Sequence, residues 1–326
     1  MKAIVTRKYG SPDVLQLNEV DKPTIKDDEV LVKVRAASVN AADWHMLRGA
    51  PFPIRFVSGL LKPKNAIPGA DFSGVIEAAG SSVTEYKPGD EVFGDLSNSG
   101  WGAFAEYVAA PADAVVLKPT GVTFEEAAAA PMAGATALKG LRNQGQIQPG
   151  DKVLVIGAGG GVGTFAVQIA KSYGAEVTGV CSAGKVGMVR SIGADHVIDH
   201  SQDDVTQSDN LYDFILDTAA FRASSDYLPR LSDEGVYVLV GGSTKRMIQV
   251  MFAGGGKTPA GRKRISNFLS MPNRPDLDTL RALMESGKLK PAIGERYTLS
   301  ELPEAMRRVE EGRAVGKAVI VMEHND

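Results

Sequence analysis

Alternation of apolar and polar side chains begins with the chain itself. Lys2-Ala3-Ile4-Val5-Thr6-Arg7 reads as a first strand and Val30-Leu31-Val32-Lys33-Val34-Arg35 as a longer one. Gly74-Val75-Ile76-Glu77 and Glu91-Val92-Phe93 add short runs, and turn signals stand between them at Lys22-Pro23, Pro68-Gly69, Lys87-Pro88-Gly89-Asp90 and Asn98-Ser99-Gly100. Short strands at this spacing predict a compact, barrel-like β domain over the first ~120 residues.

The pattern changes at Thr123. Thr123-Phe124-Glu125-Glu126 has the form of a capping box, in which the hydroxyl accepts an orphan amide and the glutamate reaches back. The Ala-rich helix that follows meets Pro131, where it must kink or restart. From Asp151 onward strands and helices alternate. Lys152–Ile156, Glu176–Cys181, His196–Ile198, Tyr212–Asp217 and Val236–Val240 carry strand character, and Gly174, Gly193 and Gly235 stand where a left-handed residue would end a helix. Such alternation predicts a parallel sheet covered by helices on both faces. Arg296–Leu299, Glu301–Glu311 and Ala318–Met322 then read as strand, helix and strand, while Met251–Pro272 shows no clear period.

Composition narrows the class. A chain of 326 residues implies two domains. Its single cysteine excludes an internal disulfide and any zinc site built on two or four cysteines, and points to the reducing cytoplasm. A net charge of -3 argues against a nucleic-acid partner. Val153 to Ala170 is an uncharged run of 18 residues, near the lower limit for a membrane span, but five of them are glycine. Strand, tight turn and buried helix account for it better, and no membrane partner is expected.

That turn is the chain's clearest motif. Gly157-Ala158-Gly159-Gly160-Gly161-Val162-Gly163 lies between the strand Lys152–Ile156 and the helical run Thr164–Lys171. Glycines there allow a backbone to turn with positive φ, to approach a pyrophosphate and to pack helix against strand. The helix N-terminus offers free amides to phosphate. A carboxylate about 20 residues further on would bind the ribose of NAD. Cys181-Ser182-Ala183-Gly184-Lys185 holds none, whereas Ser182 and Lys185 suit a 2′-phosphate, so NADPH is the expected cofactor.

With these residues in view the chain resembles the zinc-free medium-chain dehydrogenase/reductases of the quinone oxidoreductase, or ζ-crystallin-like, group. The resemblance runs nearly end to end. It rests on Ala37-Ser38-Val39-Asn40-Ala41-Ala42-Asp43, Pro68-Gly69-Ala70-Asp71-Phe72-Ser73-Gly74, Pro88-Gly89-Asp90-Glu91-Val92-Phe93-Gly94, Gly102-Ala103-Phe104-Ala105-Glu106-Tyr107-Val108, the turn Gly157–Gly163, Gly193-Ala194-Asp195-His196-Val197-Ile198-Asp199 and Gly316-Lys317-Ala318-Val319-Ile320. It implies an α/β protein: a Rossmann domain with a doubly wound parallel sheet, plus a GroES-like, β-rich catalytic domain. The expected divisions are 1–122 for the catalytic domain, 123–272 for the Rossmann domain and 273–326 for a C-terminal segment, whose last part, from about 291, returns to the catalytic domain. Carried over from the family, the cofactor contacts are Asn40, Thr136, Gly157, Gly160, Gly161, Val162, Gly163, Ser182, Lys185, His200, Thr218, Gly241, Gly242 and Lys317. Gly184 and His200 replace an Arg and a Tyr that often serve the 2′-phosphate, which leaves the NADPH preference mainly on Lys185.

Zinc-dependent relatives hold their metal with a Cys, a His-Glu pair and a later Cys or His. The matching positions here are Asn40, Ala70-Asp71 and a place near Met132, which is not a zinc set. Alcohol oxidation needs an alkoxide and therefore a metal or strong base. A quinone or α,β-unsaturated carbonyl instead accepts hydride at an electron-poor carbon, given positioning and a donor to the developing oxyanion. Asn40 and Asp43 are the catalytic candidates, and Trp44, Arg48, Phe52 and Lys64 the substrate-binding ones. The expected function is NADPH-dependent, zinc-independent reduction of a quinone or enone by a cytoplasmic homodimer. An alcohol or aldehyde reductase and an NADPH-binding accessory or sensor protein without turnover are the alternatives.

Overall fold

The computed structural model describes residues 1–241 and 263–324. They divide into two compact units. The first comprises Met1–Met132, Met271–Gly287 and Ile293–Asp326, and the second Ala133–Ser270 and Lys288–Ala292.

In the first unit, β1 (Lys2–Val5) and β2 (Gln16–Glu19) pair antiparallel. The main sheet has seven strands: β3 (Glu29–Val39), β4 (Asp71–Ala79), β5 (Glu91–Asp95), β6 (Tyr107–Pro111), β7 (Val115–Leu117), and two from the far end of the chain. Those two flank Glu301: Ile293–Thr298 lies parallel to Lys317–Val321, and the latter pairs antiparallel with the second half of β3. The first half of β3 is paired with β6, so one long strand serves two neighbours on the same side while β4 runs along the other. The C-terminus is therefore part of the N-terminal sheet. Val30, Val32, Val34, Phe72, Ile76, Phe104, Leu302, Met306 and Ile320 form its core, which is the alternating inward face of these strands. Two short helices follow in this unit. α1 (Ala41–Arg48) follows β3 directly, and a short helix, α2 (Arg55–Ser58), lies beyond it.

The expected boundary at 122/123 falls instead after Met132. The reason is α3 (Phe124–Ala129), whose Ala128 and Ala129 bury against Ala36 and Val319 of the β-rich unit. The capping box forms, with Thr123 Oγ1 accepting from the Glu126 amide and Glu126 accepting from the Thr123 amide. The helix ends before Pro131, which opens α4 (Pro131–Lys139).

The second unit is a six-stranded parallel sheet: β8 (Lys152–Ile156), β9 (Glu176–Cys181), β10 (His196–Asp199), β11 (Tyr212–Asp217), β12 (Leu231–Leu239) and β13 (Arg264–Asn267). Its order, β10-β9-β8-β11-β12-β13, is that of a doubly wound dinucleotide-binding fold. The uncharged run from Val153 becomes β8, a turn and α5 (Gly161–Ser172). No helix among the described residues is long and apolar enough to cross a membrane. Gly174 and Gly193 end helices with φ of +83° and +106°. Gly235 does not. It lies inside β12 because the preceding helix is only one turn, Ser224–Tyr227, and the strand starts earlier than the apolar run suggests. β13, inside the stretch without a clear period, was also not foreseen; its Arg264-Ile265-Ser266-Asn267 has one apolar residue, and pairing with β12 defines it.

Candidate active site and nucleotide cradle

In the β-rich unit β3 delivers Ser38, Val39 and Asn40 to the start of α1, and β4 brings Asp71 opposite Ser38. Asn40 occupies the N-cap position, yet its side chain caps nothing. Its Nδ2 donates to Asp71 Oδ2 at 2.9 Å, and its Oδ1 accepts from Lys317 Nζ at 2.5 Å. Because lysine can only donate and a carboxylate can only accept while ionised, the two neighbours fix which way the amide faces. One Nδ2 hydrogen has no partner among the described residues. Lys317 Nζ also donates to Val39 O at 3.2 Å and stands 3.8 Å from Asp71 Oδ2. Asp71 further accepts from the Met132 amide at 3.1 Å and from Ser38 Oγ at 3.3 Å.

This cluster is buried. Asp43 and Asp71 are 0 % exposed, Lys317 2 %, Asp95 4 % and Asn40 7 %. Three carboxylates therefore surround one ammonium. Burial pushes the Asp71 carboxyl up and the Lys317 ammonium down, each opposed by the attraction of the other. Asp43 Oδ2 accepts the Asn40 amide at 2.6 Å, while its Oδ1 is buried without a partner. Burial raises its carboxyl to about 7, against the smaller pull of that amide and of Lys317.

The residues beside this cluster are placed less uniformly. Trp44, half-buried, stacks on His45 with ring centroids 3.5 Å apart. Arg48 grips Glu310 through two bonds of 2.9 and 3.0 Å. Phe52 and Lys64 are exposed. None of these four lines the recess found in this unit, which is walled by Thr6, Met46, Leu47, Ser58, Pro63 and Trp101 among others.

The candidate nucleotide cradle belongs to the second unit. Gly157 has φ +80°, and a Cβ there would lie 2.5 Å from Thr218 Oγ1. At Gly163 a Cβ would fall 2.1 Å from the Gly157 carbonyl, so any side chain would force the turn and α5 apart. Gly160 caps α5 without a side-chain bond, leaving the first amides of the helix open to an anion. Thr218 Oγ1 donates to Ile156 O at 2.8 Å. Its loop is held by Asp217, which accepts from the Ala219 and Ala220 amides and from Tyr237 Oη. Ser182 begins the short turn after β9, and the stem of Lys185 lies against Gly159. His200, exposed, tilts toward Phe221 at 5.2 Å, and its amide donates to Cys181 O. Thr136 is half-buried on α4, and Gly241 has φ +149°. Gly242 lies outside the described residues.

Three features escaped the sequence reading. Asp71 was seen only as part of a motif, although a charged residue in an otherwise apolar strand signals a buried pair. Lys317 was expected at the cofactor. In the structure its ammonium is bonded to Val39 O and Asn40 and stands 3.8 Å from Asp71. Asp199 was overlooked at the end of β10, where register with Cys181 sets it beside the Ser182–Lys185 turn; its carboxylate accepts from Ser201 and the Ala183 amide.

The residues fit a nicotinamide dinucleotide and do not fit zinc. Among the described residues no group of three His, Cys, Asp or Glu could hold a metal. Where such ligands would gather stand an amide, the Ala70 methyl and a Met132 backbone amide, and the one carboxylate there, Asp71, is committed to Asn40 and Lys317.

A parallel six-stranded nucleotide-binding fold together with a β-rich unit drawn from both ends of the chain defines a two-domain dehydrogenase-type oxidoreductase. Residues 26–120 match the alcohol dehydrogenase GroES-like domain, and 192–320 match the zinc-binding dehydrogenase family. The chain is 34% identical over 98% of its length to the chloroplastic quinone-oxidoreductase homolog of Spinacia oleracea, covering 98% of it. It is 33% identical over 98% of its length to the chloroplastic NADPH-dependent alkenal/one oxidoreductase of Arabidopsis thaliana, covering 79% of it. The quinone oxidoreductase structure from Coxiella burnetii superposes with a TM-score of 0.88 at 30% identity, covering 99% of both chains. The chain belongs to the medium-chain dehydrogenase/reductase superfamily.

Proposed function

We propose that this protein transfers a hydride from NADPH to a quinone or an α,β-unsaturated carbonyl without a metal ion. The observation that carries this reading is the Asn40 cluster, in which an amide locked by Asp71 and Lys317 stands where a metal-dependent relative would gather ligands. Relatives named for quinone and alkenal/one reduction support the substrate class. Lys185 and the absence of a carboxylate in Ser182–Lys185 support NADPH, with the Asp199 carboxylate occupied by Ser201 and Ala183.

Bound NADPH would supply the hydride. Gly157–Gly163 and the open amides of α5 would hold its pyrophosphate, and Ser182 with Lys185 its 2′-phosphate. Asn40 presents only a donor hydrogen, since its carbonyl oxygen faces Lys317. It therefore suits an oxygen that gains negative charge: addition of hydride to the β-carbon of an enone moves the π electrons onto the carbonyl oxygen, and the enolate then takes a proton from solvent at the α-carbon. Asp43 acts through Asn40, holding its backbone amide, and is a positioning residue. Trp44 and Phe52 offer apolar surface to a flat substrate, with Arg48 and Lys64 at its edge. The chain's single cysteine, buried Cys181, suits a reducing cytoplasm, and β13, the edge strand of the parallel sheet among the described residues, suits pairing of two copies into a homodimer.

Oxidation of NADPH, followed by absorbance with phenanthrenequinone, an alkyl vinyl ketone and a simple aldehyde in the presence of a chelator, tests the reading. Turnover of the first two above the aldehyde is expected. Turnover of the aldehyde alone, or activity that chelation abolishes and zinc restores, overturns it.

A further inference from the structure

The segment from Phe52 to Lys64 is built with its polar side inward. Ser58 is buried, and its hydroxyl has one hydrogen to give either to Tyr9 Oη at 2.8 Å or to Ile54 O at 3.1 Å. Tyr9 Oη also donates to Gly59 O, and Arg55 donates to Gly49 O with its guanidinium 4.5 Å from the Tyr9 ring. The outward side is apolar. Phe56 is 73% exposed, Val57 79% and Leu61 89%, with Phe52 and Leu60 beside them. Five of the eleven exposed large apolar side chains among the described residues fall in this one short stretch. Folding alone gives no reason for such an inversion, and exposed apolar patches of this kind mark contact surfaces.

Charge says what the surface meets. From Trp44 to Ala70 the chain has no acidic residue, although its net charge is -3. Arg48, Arg55, Lys62 and Lys64 fall in that interval. Lys62 and Lys64 are exposed, and among the described residues neither has an ion-pair partner. We propose that Phe56, Val57, Leu60 and Leu61, rimmed by Lys62 and Lys64, dock the protein on an anionic lipid surface. Phenylalanine and leucine enter the boundary between headgroups and acyl chains, and lysines remain at the phosphates. A second copy is a poorer occupant, because a two-fold contact would set the same cations against each other. This is surface contact and not a span, and it departs from the expectation that no membrane is involved. It does not depend on the substrate reading.

Co-sedimentation of the full-length protein with phosphatidylcholine vesicles, with and without a third of phosphatidylglycerol, tests it. Binding to the anionic vesicles at low salt is expected, weaker by about tenfold on pure phosphatidylcholine and at high salt. Val57→Asp with Leu61→Asp should remove binding and leave the melting temperature unchanged, since both side chains already face water. Lys62→Glu should weaken it. No sedimentation with anionic vesicles overturns the proposal, as does binding indifferent to the double variant. A larger assembly in sedimentation velocity without lipid, dissolved by the same variant, also overturns it and assigns the patch to a second copy or a protein partner.

Discussion

Replacing Lys317 by Met removes an ammonium that faces Asp43, Asp71 and Asp95 while keeping most of its stem. At the 3.8 Å that separates Lys317 Nζ from Asp71 Oδ2, the attraction lost is about 4 kcal/mol at an effective dielectric of ~20. That agrees with the roughly 3–5 kcal/mol observed when one partner of a buried pair is deleted. Asp71→Asn alone takes the nearest carboxylate from the lysine and should cost a similar amount or less. The double variant removes the Asp71–Lys317 pair together and should lose less than the sum of the two, giving a coupling of about 2–4 kcal/mol in urea unfolding near neutral pH. The pH dependence has a definite sign. Without Lys317 the folded-state pKa of Asp71 rises still further above its unfolded value. The stability lost as pH climbs, which in the wild type levels off near pH 8, therefore goes on being lost at higher pH in the variant, so its gap from the wild type opens above about pH 8. Single-variant losses that add to within ~0.5 kcal/mol, or a gap independent of pH, would refute the account of the cluster.

Asp43→Asn keeps an acceptor for the Asn40 amide but cannot ionise. The wild-type carboxyl, at about 7 when folded against 3.8, contributes stability that is present in acid and lost as pH rises toward 7, with an upper bound of about 4 kcal/mol. Stability curves of the two proteins should therefore diverge above pH 5, and parallel curves count against the burial argument. Lys185→Ala should weaken NADPH by about tenfold to a hundredfold in equilibrium binding and change NADH little, as expected for one charge-assisted bond; equal losses would remove Lys185 from the 2′-phosphate. Gly163→Ala places a methyl 2.1 Å from the Gly157 carbonyl, so it should abolish measurable cofactor binding and lower stability by about 1–3 kcal/mol. Unchanged NADPH affinity in that variant would exclude the turn as the cradle.

The strands of the nucleotide-binding unit were legible because buried parallel strands are short, nearly unbroken apolar runs bounded by glycine. Lys152–Ile156, Glu176–Cys181 and Tyr212–Asp217 fall where the runs fall. Arg264–Asn267 was not legible, since pairing and not hydrophobicity makes it a strand. Nor was the true end of the first unit, where tertiary packing of Ala128 and Ala129 overrides the composition change at Thr123. At the site, Asn40 and Asp43 were recognised from a motif, but the side-chain partners of Asn40, Asp71 and Lys317, lie far along the chain. Asn40 and Lys317 meet only because the strand Lys317–Val321 returns to β3. No local pattern encodes that contact. The inward-turned Ser58 and outward Phe56 defeat a periodicity argument for another reason: the segment breaks the rule on which such an argument rests.

The central claim concerns where the hydride goes and what assists it. NADPH deuterated at the transferring C4 position, supplied with an acyclic enone and enzyme in excess chelator, tests it most directly, with the product read by mass spectrometry and NMR. The account predicts a saturated ketone carrying deuterium at its β-carbon and a solvent proton at its α-carbon, at a rate the chelator does not change. An allylic alcohol labelled at the carbonyl carbon, or no labelled product until zinc is restored, would contradict it.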